Sequence, residues 1–136
     1  MELTLCSVTL GANETTNHDP VLINRGGDTK INALTLVGIC VRAAGGGECD
    51  AYVQTSIAGQ WFDIADFHFT TSSATKFFNL TTAAAVSDAA GTLPASPITD
   101  DTAVNTVLGD NLRVRLITSG SVYTGASTLK VVAIVR

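Results

Sequence analysis

The chain of 136 residues is 46% apolar and only 15% charged, with a formal net charge of −4. That length fits one domain, residues 1–136, and buries a core without disulfide or metal staples. The acidic balance, with no run of Lys or Arg, excludes a sequence-independent grip on nucleic-acid phosphates or on an anionic membrane surface, and no stretch reaches the roughly 18 apolar residues of a spanning helix. Charge is scarcer than the roughly 25% of an average domain, so Thr, Ser, Ala and Gly must form much of the surface, as suits a protein packed against neighbours or an extracellular β-domain. Met1-Glu2 opens on no basic run leading into an apolar one, so no signal peptide is expected and the chain is expected to fold in a cytoplasm. Three cysteines, Cys6, Cys40 and Cys49, cannot all pair within one chain; reducing conditions favour free, buried thiols, with Cys40 and Cys49 the pair for any later bridge.

In chain order, Leu3 and Leu5 share one parity and Val8 and Leu10 the other, which predicts a first strand with a bulge near Cys6-Ser7. Asn13 to Pro20 is turn-forming, Val21-Leu22-Ile23 is a short apolar run, and Asn24 to Asp28 is another turn. Lys30 to Arg42 alternates at length, with Ile31, Ala33, Thr35, Val37, Ile39 and Val41 on one face, and predicts a central strand. Gly45-Gly46-Gly47 marks a connection. Asp50 to Phe69 reads as a hairpin turning at Ala58-Gly59-Gln60, with a bulge near Asp63 to reconcile Trp61, Ala65, Phe67 and Phe69 on one face with Phe62 and Ile64 on the other.

Thr75 to Leu80 predicts the next strand. Thr81 to Leu108 keeps no sustained period and reads as a long excursion with room for one short helix. Leu112, Val114 and Leu116 alternate with Arg113 and Arg115 as a strand with one dry face, and Leu129 to Val135 forms the last strand after a turn around Tyr123. Many short strands with turn residues between them predict an all-β fold, an antiparallel β-sandwich of jelly-roll-like type with one long irregular loop. Its predicted core is Val53, Ile57, Trp61, Phe67, Leu112, Val114 and Leu116. The excursion is the predicted contact arm, with Leu93, Pro94, Pro97, Ile98 and Val104 as apolar anchors and Asp100 and Asp101 for basic residues on a neighbour; the segment before Val21 is the competing contact element.

Chemistry-bearing residues are few. Asp63, Asp66 and His68 are of metal-binding or acid–base types, but on a regular strand Asp63 faces away from the other two, so Asp66 and His68 read as a solvated or intersubunit face and Asp63 as satisfying backbone groups at a bulge. Asp100, Asp101, Asn105 and Asp110 lack the spacing of a calcium hand. His18-Asp19 before a proline reads as a turn, the glycine runs lack a phosphate-binding context, the cysteines lack zinc spacing, and Arg113 and Arg115 read as the wet face of a strand. No metal, cofactor or catalytic set is expected, and the protein is read as non-enzymatic.

Tyr52-Val53-Gln54-Thr55-Ser56 followed by Gly59-Gln60-Trp61-Phe62-Asp63-Ile64-Ala65, then Phe67 and Phe69, later Leu108 to Arg115, and the closing Thr128 to Arg136, together resemble small structural proteins of tailed bacteriophages that decorate, or cement, the head. The likeness leaves out Thr81 to Asn105, and the sequence departs from the pattern in Ala58 before Gly59 and in its three cysteines. The resemblance implies a decoration protein assembled in the host cytoplasm, located on the capsid surface of the virion. It implies binding to the major capsid protein as a homo-oligomer, a trimer among the options, many weak contacts stabilising the particle. The other readings are a tail or head-to-tail connector component and a carbohydrate-binding module with Tyr123 as its stacking residue.

Overall fold

The computed structural model describes residues 1–23, 31–45, 47–81, 96–106, 108–120, 123–124 and 126–136. Every regular element among them is a strand: β1 (Glu2–Thr9), β2 (Thr15–Asn17), β3 (Val21–Leu22), β4 (Ala33–Val41), β5 (Ala44–Gly45), β6 (Cys49–Ile57), β7 (Gln60–Phe69), β8 (Ala74–Thr81), β9 (Asn111–Thr118), β10 (Tyr123–Thr124) and β11 (Thr128–Val135). They form one antiparallel sheet in the order β1-β11-β4-β8, a second in the order β2-β9-β6-β7 with β3 beside β9, and a short β5–β10 ribbon.

The pairings are nested. β6 pairs with β7, β4 with β8, β2 with β9 and β1 with β11, so the chain runs as one long double strand folded back at the Ala58-Gly59 turn. Two further pairings, β4 with β11 and β6 with β9, roll that double strand into the two sheets. The turn has two central residues, Ala58 at φ 52° and Gly59 at φ 77°, the backbone of a type I′ hairpin whose twist matches its strands.

Alternation decides what each strand buries. Leu34, Leu36 and Cys40 of β4, Leu112, Val114 and Leu116 of β9, and Leu129, Val131, Ala133 and Val135 of β11 join Val53, Ile64, Phe67 and Phe69 in one contiguous core between the sheets. The Phe67 ring lies at its centre, stacked with Phe69 at 6.3 Å and 5.0 Å from Phe78 of β8 in the other sheet. Of the alternating set read from the sequence, Ala33, Thr35, Val37, Ile39 and Val41 are the outer row of β4, while Ile31 lies before the strand and packs against the core; Leu34, Leu36, Gly38 and Cys40 face inward.

Two residues expected in the core, Ile57 and Trp61, are only half-buried. Ile57 is the last residue before the turn, where one strand pair ends. For Trp61 the reason is the bulge: Val53 pairs with Ala65 but Gln54 with Asp63, which leaves Ile64 as the extra residue and reverses the parity before it. Trp61 therefore lies opposite Ser56 on the outer face, with the Arg113 guanidinium 4.2 Å above its ring. The β1 bulge falls at Leu5, one residue before the expected position, and lets Leu3, Leu5 and Cys6 all face inward. Asn13 to Pro20, expected as a turn, contains β2, and Ala44-Gly45 in the glycine-rich connection pairs with β10. The described part of the long excursion contains no helix.

Candidate functional site

The outer face of the β2-β9-β6-β7 sheet carries the polar groups. Asp63, 1% exposed, sits beside the bulge and accepts hydrogen bonds from Gln54 Nε2 at 2.7 Å, Ser96 Oγ at 2.8 Å and the Ile98 backbone N–H at 3.2 Å. Gln54 in turn accepts from Arg113 Nε at 2.8 Å. Burial and the neighbouring Arg115 lower the Arg113 pKa, with Asp63 opposing them. Beyond this latch the 96–106 segment runs along the free edge of β7: Asp66 N–H donates to Thr102 O and Val104 N–H to Ile64 O, both at 2.9 Å, and Ala103 bridges Ala65. An unpaired sheet edge is thereby covered.

Beside that edge lies a cluster of acids around one histidine. Asp50 and Tyr52 of β6 stand opposite His68 and Asp66 of β7, and the 96–106 segment brings Asp100 over them. His68 Nδ1 is 2.6 Å from Asp50 Oδ1 and 3.6 Å from Asp100 Oδ2, and its Nε2 is 3.8 Å from Glu48 Oε2. Burial pulls the His68 pKa down, but the Asp50 hydrogen bond and the charges of Asp50, Asp100 and Glu48 outweigh it, so the net shift is upward. Asp66 is fully buried, and neither carboxylate oxygen has a hydrogen-bond partner among the described residues. Burial, then the charges of Asp50 and Asp100, push its pKa up to about 8. Burial and the same acids raise Tyr52 to about 12. Lys76 of β8 reaches across from the other sheet to Asp101 Oδ2 at 2.7 Å and to the His68 carbonyl.

The outer face of the β1-β11-β4-β8 sheet is the opposite in character. One row across it reads Thr4, Val132, Val37, Phe77, and Ile39, Val41 and Ile134 lie beside it. Phe77 is 65% exposed and Val41 52%. The charged side chains in the outer rows of these strands are Glu2 and Lys130.

Of the residues expected on a contact arm, Leu93 and Pro94 lie outside the described residues. Pro97, Asp100 and Asp101 are exposed and Ile98 and Val104 half-buried, but Ile98 and Val104 bond to the body through their backbones, and Asp100 and Asp101 turn inward to His68 and Lys76. This stretch is a strap across β7. Asp66 and His68 share the outer face, as their parity requires, but Asp63, expected on the opposite face of a regular strand, is turned onto the same one by the bulge and accepts there from Gln54, Ser96 and the Ile98 N–H. Asp100, Asp101 and Asn105 take separate partners, Asn105 accepting from Thr81 N–H at 3.1 Å. Asp50 and Glu48 were not singled out by sequence; the pairing of Asp50 with His68 across the hairpin was the available signal. The three cysteines are free and buried. Comparison with protein-family models, curated proteins and solved structures finds no match.

Proposed function

We propose that the protein is a non-enzymatic decoration protein of a tailed-phage particle, docking on the shell of the major capsid protein through the outer face of the β1-β11-β4-β8 sheet. The observation that carries this reading is the exposed Phe77 in a nearly uncharged row with Val37 and Val132. Apolar sheet faces of this kind mark protein contacts, and an exposed aromatic is the usual anchor of one. The strand order supports the finer fold: a nested double strand rolled into two four-stranded orders is that of a jelly-roll sandwich, a fold common in capsid proteins. A two-sheet body presenting one apolar face suits a role in which many copies each add a weak contact to the particle.

The test is sedimentation of the purified protein with phage shells that lack it. Saturable co-sedimentation is expected, and Phe77→Asp, a surface change that leaves the core untouched, should weaken it about tenfold or more. No association, or equal association of the folded variant, would overturn the docking face.

A further inference from the structure

A second site lies on the other sheet and stands independently of the docking face. We propose that Asp50, His68 and Asp100 bind one divalent transition-metal ion, with the buried Asp66 beside them as a further negative charge. Asp50 Oδ1, His68 Nδ1 and Asp100 Oδ2 form a set of ligand atoms all within 4.8 Å of one another. At metal–ligand distances of about 2.0–2.1 Å, ligands around one tetrahedral ion stand about 3.3 Å apart. The 3.6 Å from His68 to Asp100 fits that spacing, and the 2.6 Å from His68 to Asp50 is a hydrogen bond whose shared proton an ion would replace.

The independent observation is Asp66. It is 0% exposed, two residues from His68 on the same strand face, and both carboxylate oxygens lack a hydrogen-bond partner among the described residues. It stands opposite Tyr52, next to the Asp50–His68 pair on the same outer face, so its negative charge lies beside the three ligand residues. A buried acid without partners is expensive unless it is neutralised or coordinates a cation. The neighbouring cation does not fill that role: Lys76 pairs with Asp101 and with the His68 carbonyl. Glu48 lies on the Nε2 side of the imidazole, which leaves Nδ1 as the nitrogen turned to the carboxylates. One imidazole nitrogen among carboxylates suits zinc or manganese rather than calcium, whose sites are built from oxygen alone. Bound there, the ion joins the strap, through Asp100, to β6 and β7.

The test is calorimetric titration of the full chain, stripped with chelator, with Zn²⁺, Mn²⁺ and Ca²⁺. One Zn²⁺ or Mn²⁺ per chain is expected, with Ca²⁺ at least about tenfold weaker. Asp100→Asn, on a surface residue, and Asp66→Asn should each weaken binding by about tenfold or more, while His18→Gln leaves it unchanged. A Co²⁺-loaded sample should show d–d bands without a thiolate charge-transfer band, which keeps the cysteines out of the site. Absence of stoichiometric binding of Zn²⁺ and Mn²⁺, a thiolate band, or full binding by folded Asp100→Asn and Asp66→Asn would overturn the proposal.

Discussion

Gly38 of β4 lies against the ring of Phe67 on β7 across the core: a β-carbon on Gly38 would stand 2.8 Å from Phe67 Cγ and 3.0 and 3.1 Å from its Cδ atoms. The aromatic ring therefore rests on backbone, and the missing side chain sets how closely the two sheets approach. Phe67 has little room to retreat, because Phe69 and Phe78 flank it. Gly38→Ala is expected to destabilise by about 1–3 kcal/mol as an overpacked core does, read as a lower urea midpoint at unchanged slope. The smaller, acyclic side chain in Phe67→Leu should recover part of that loss in the double variant. A midpoint unmoved by Gly38→Ala would mean the sheets separate freely there.

The hairpin tip offers a change of opposite sign. Ala58 has φ 52°, a left-handed conformation that an alanine adopts at a cost and that asparagine tolerates, and Gly59 follows it. Ala58→Asn is expected to stabilise by about 0.5–1 kcal/mol, since it supplies the Asn-Gly pair that a type I′ turn favours. Thermal unfolding of the two proteins side by side decides it, and a lower midpoint in the variant would sink this account of the turn.

Strands and their period were legible because a half-buried strand writes its burial into alternate residues, as Leu112, Val114 and Leu116 do. The β7 bulge was legible from the clash of parities around Asp63. Its consequence for Trp61 was not, because a one-residue shift moves a side chain between faces and composition favours placing the only tryptophan inside. β2 escaped notice since three residues, Thr15 to Asn17, gain strand geometry from β9 rather than from their own propensity. The acid–histidine cluster joins Asp50, His68 and Asp100 across 50 residues of chain, a juxtaposition set by the fold and by the strap along β7.

The thiols carry a prediction about reactivity. Burial pushes Cys6 up to about 11 and raises Cys49 and Cys40 as well, so none is a ready nucleophile near neutral pH. Native protein at pH 8 should resist alkylation, and denatured protein without reductant should take up three labels. Because the folded values lie above the unfolded one of about 8.5, the contribution to stability is complete below that pH and is lost as pH rises through the folded values. Rapid labelling of native Cys49 would contradict its burial.

Asp66 sets the pH response near neutrality. Its folded pKa, about 8, is above the unfolded carboxylate value, so its contribution is fully present below about pH 4 and is lost as pH rises towards 8. His68, also raised, acts in the same direction above its unfolded value of about 6.5. In chelator, Asp66→Asn should raise stability at pH 7 by on the order of 1–3 kcal/mol and flatten the decline between pH 4 and 8. An unchanged pH profile would show that Asp66 finds a partner in solution.

Asp63 should govern the strap as a whole. Its carboxylate joins Gln54 in the sheet to both Ser96 and Ile98 at the start of the 96–106 segment. Removing it in Asp63→Ala leaves the Gln54 amide and the Ile98 N–H short of an acceptor in a buried place, a loss of about 1–3 kcal/mol for each such group. The strap would then hold through its edge bonds, Asp66 N–H to Thr102 O and Val104 N–H to Ile64 O, and through Asp101 with the His68 N–H and Lys76 and Asn105 with the Thr81 N–H. Hydrogen exchange separates two outcomes. If Asp63 is the latch, the Asp66 and Val104 amides exchange much faster in the variant while the Val53 and Val114 amides of the paired strands β6 and β9 keep their protection. If edge pairing and the Asp101 and Asn105 contacts suffice to hold the strap, the Asp66 and Val104 amides stay protected and only Ile98 speeds up, which would rule out Asp63 as the latch.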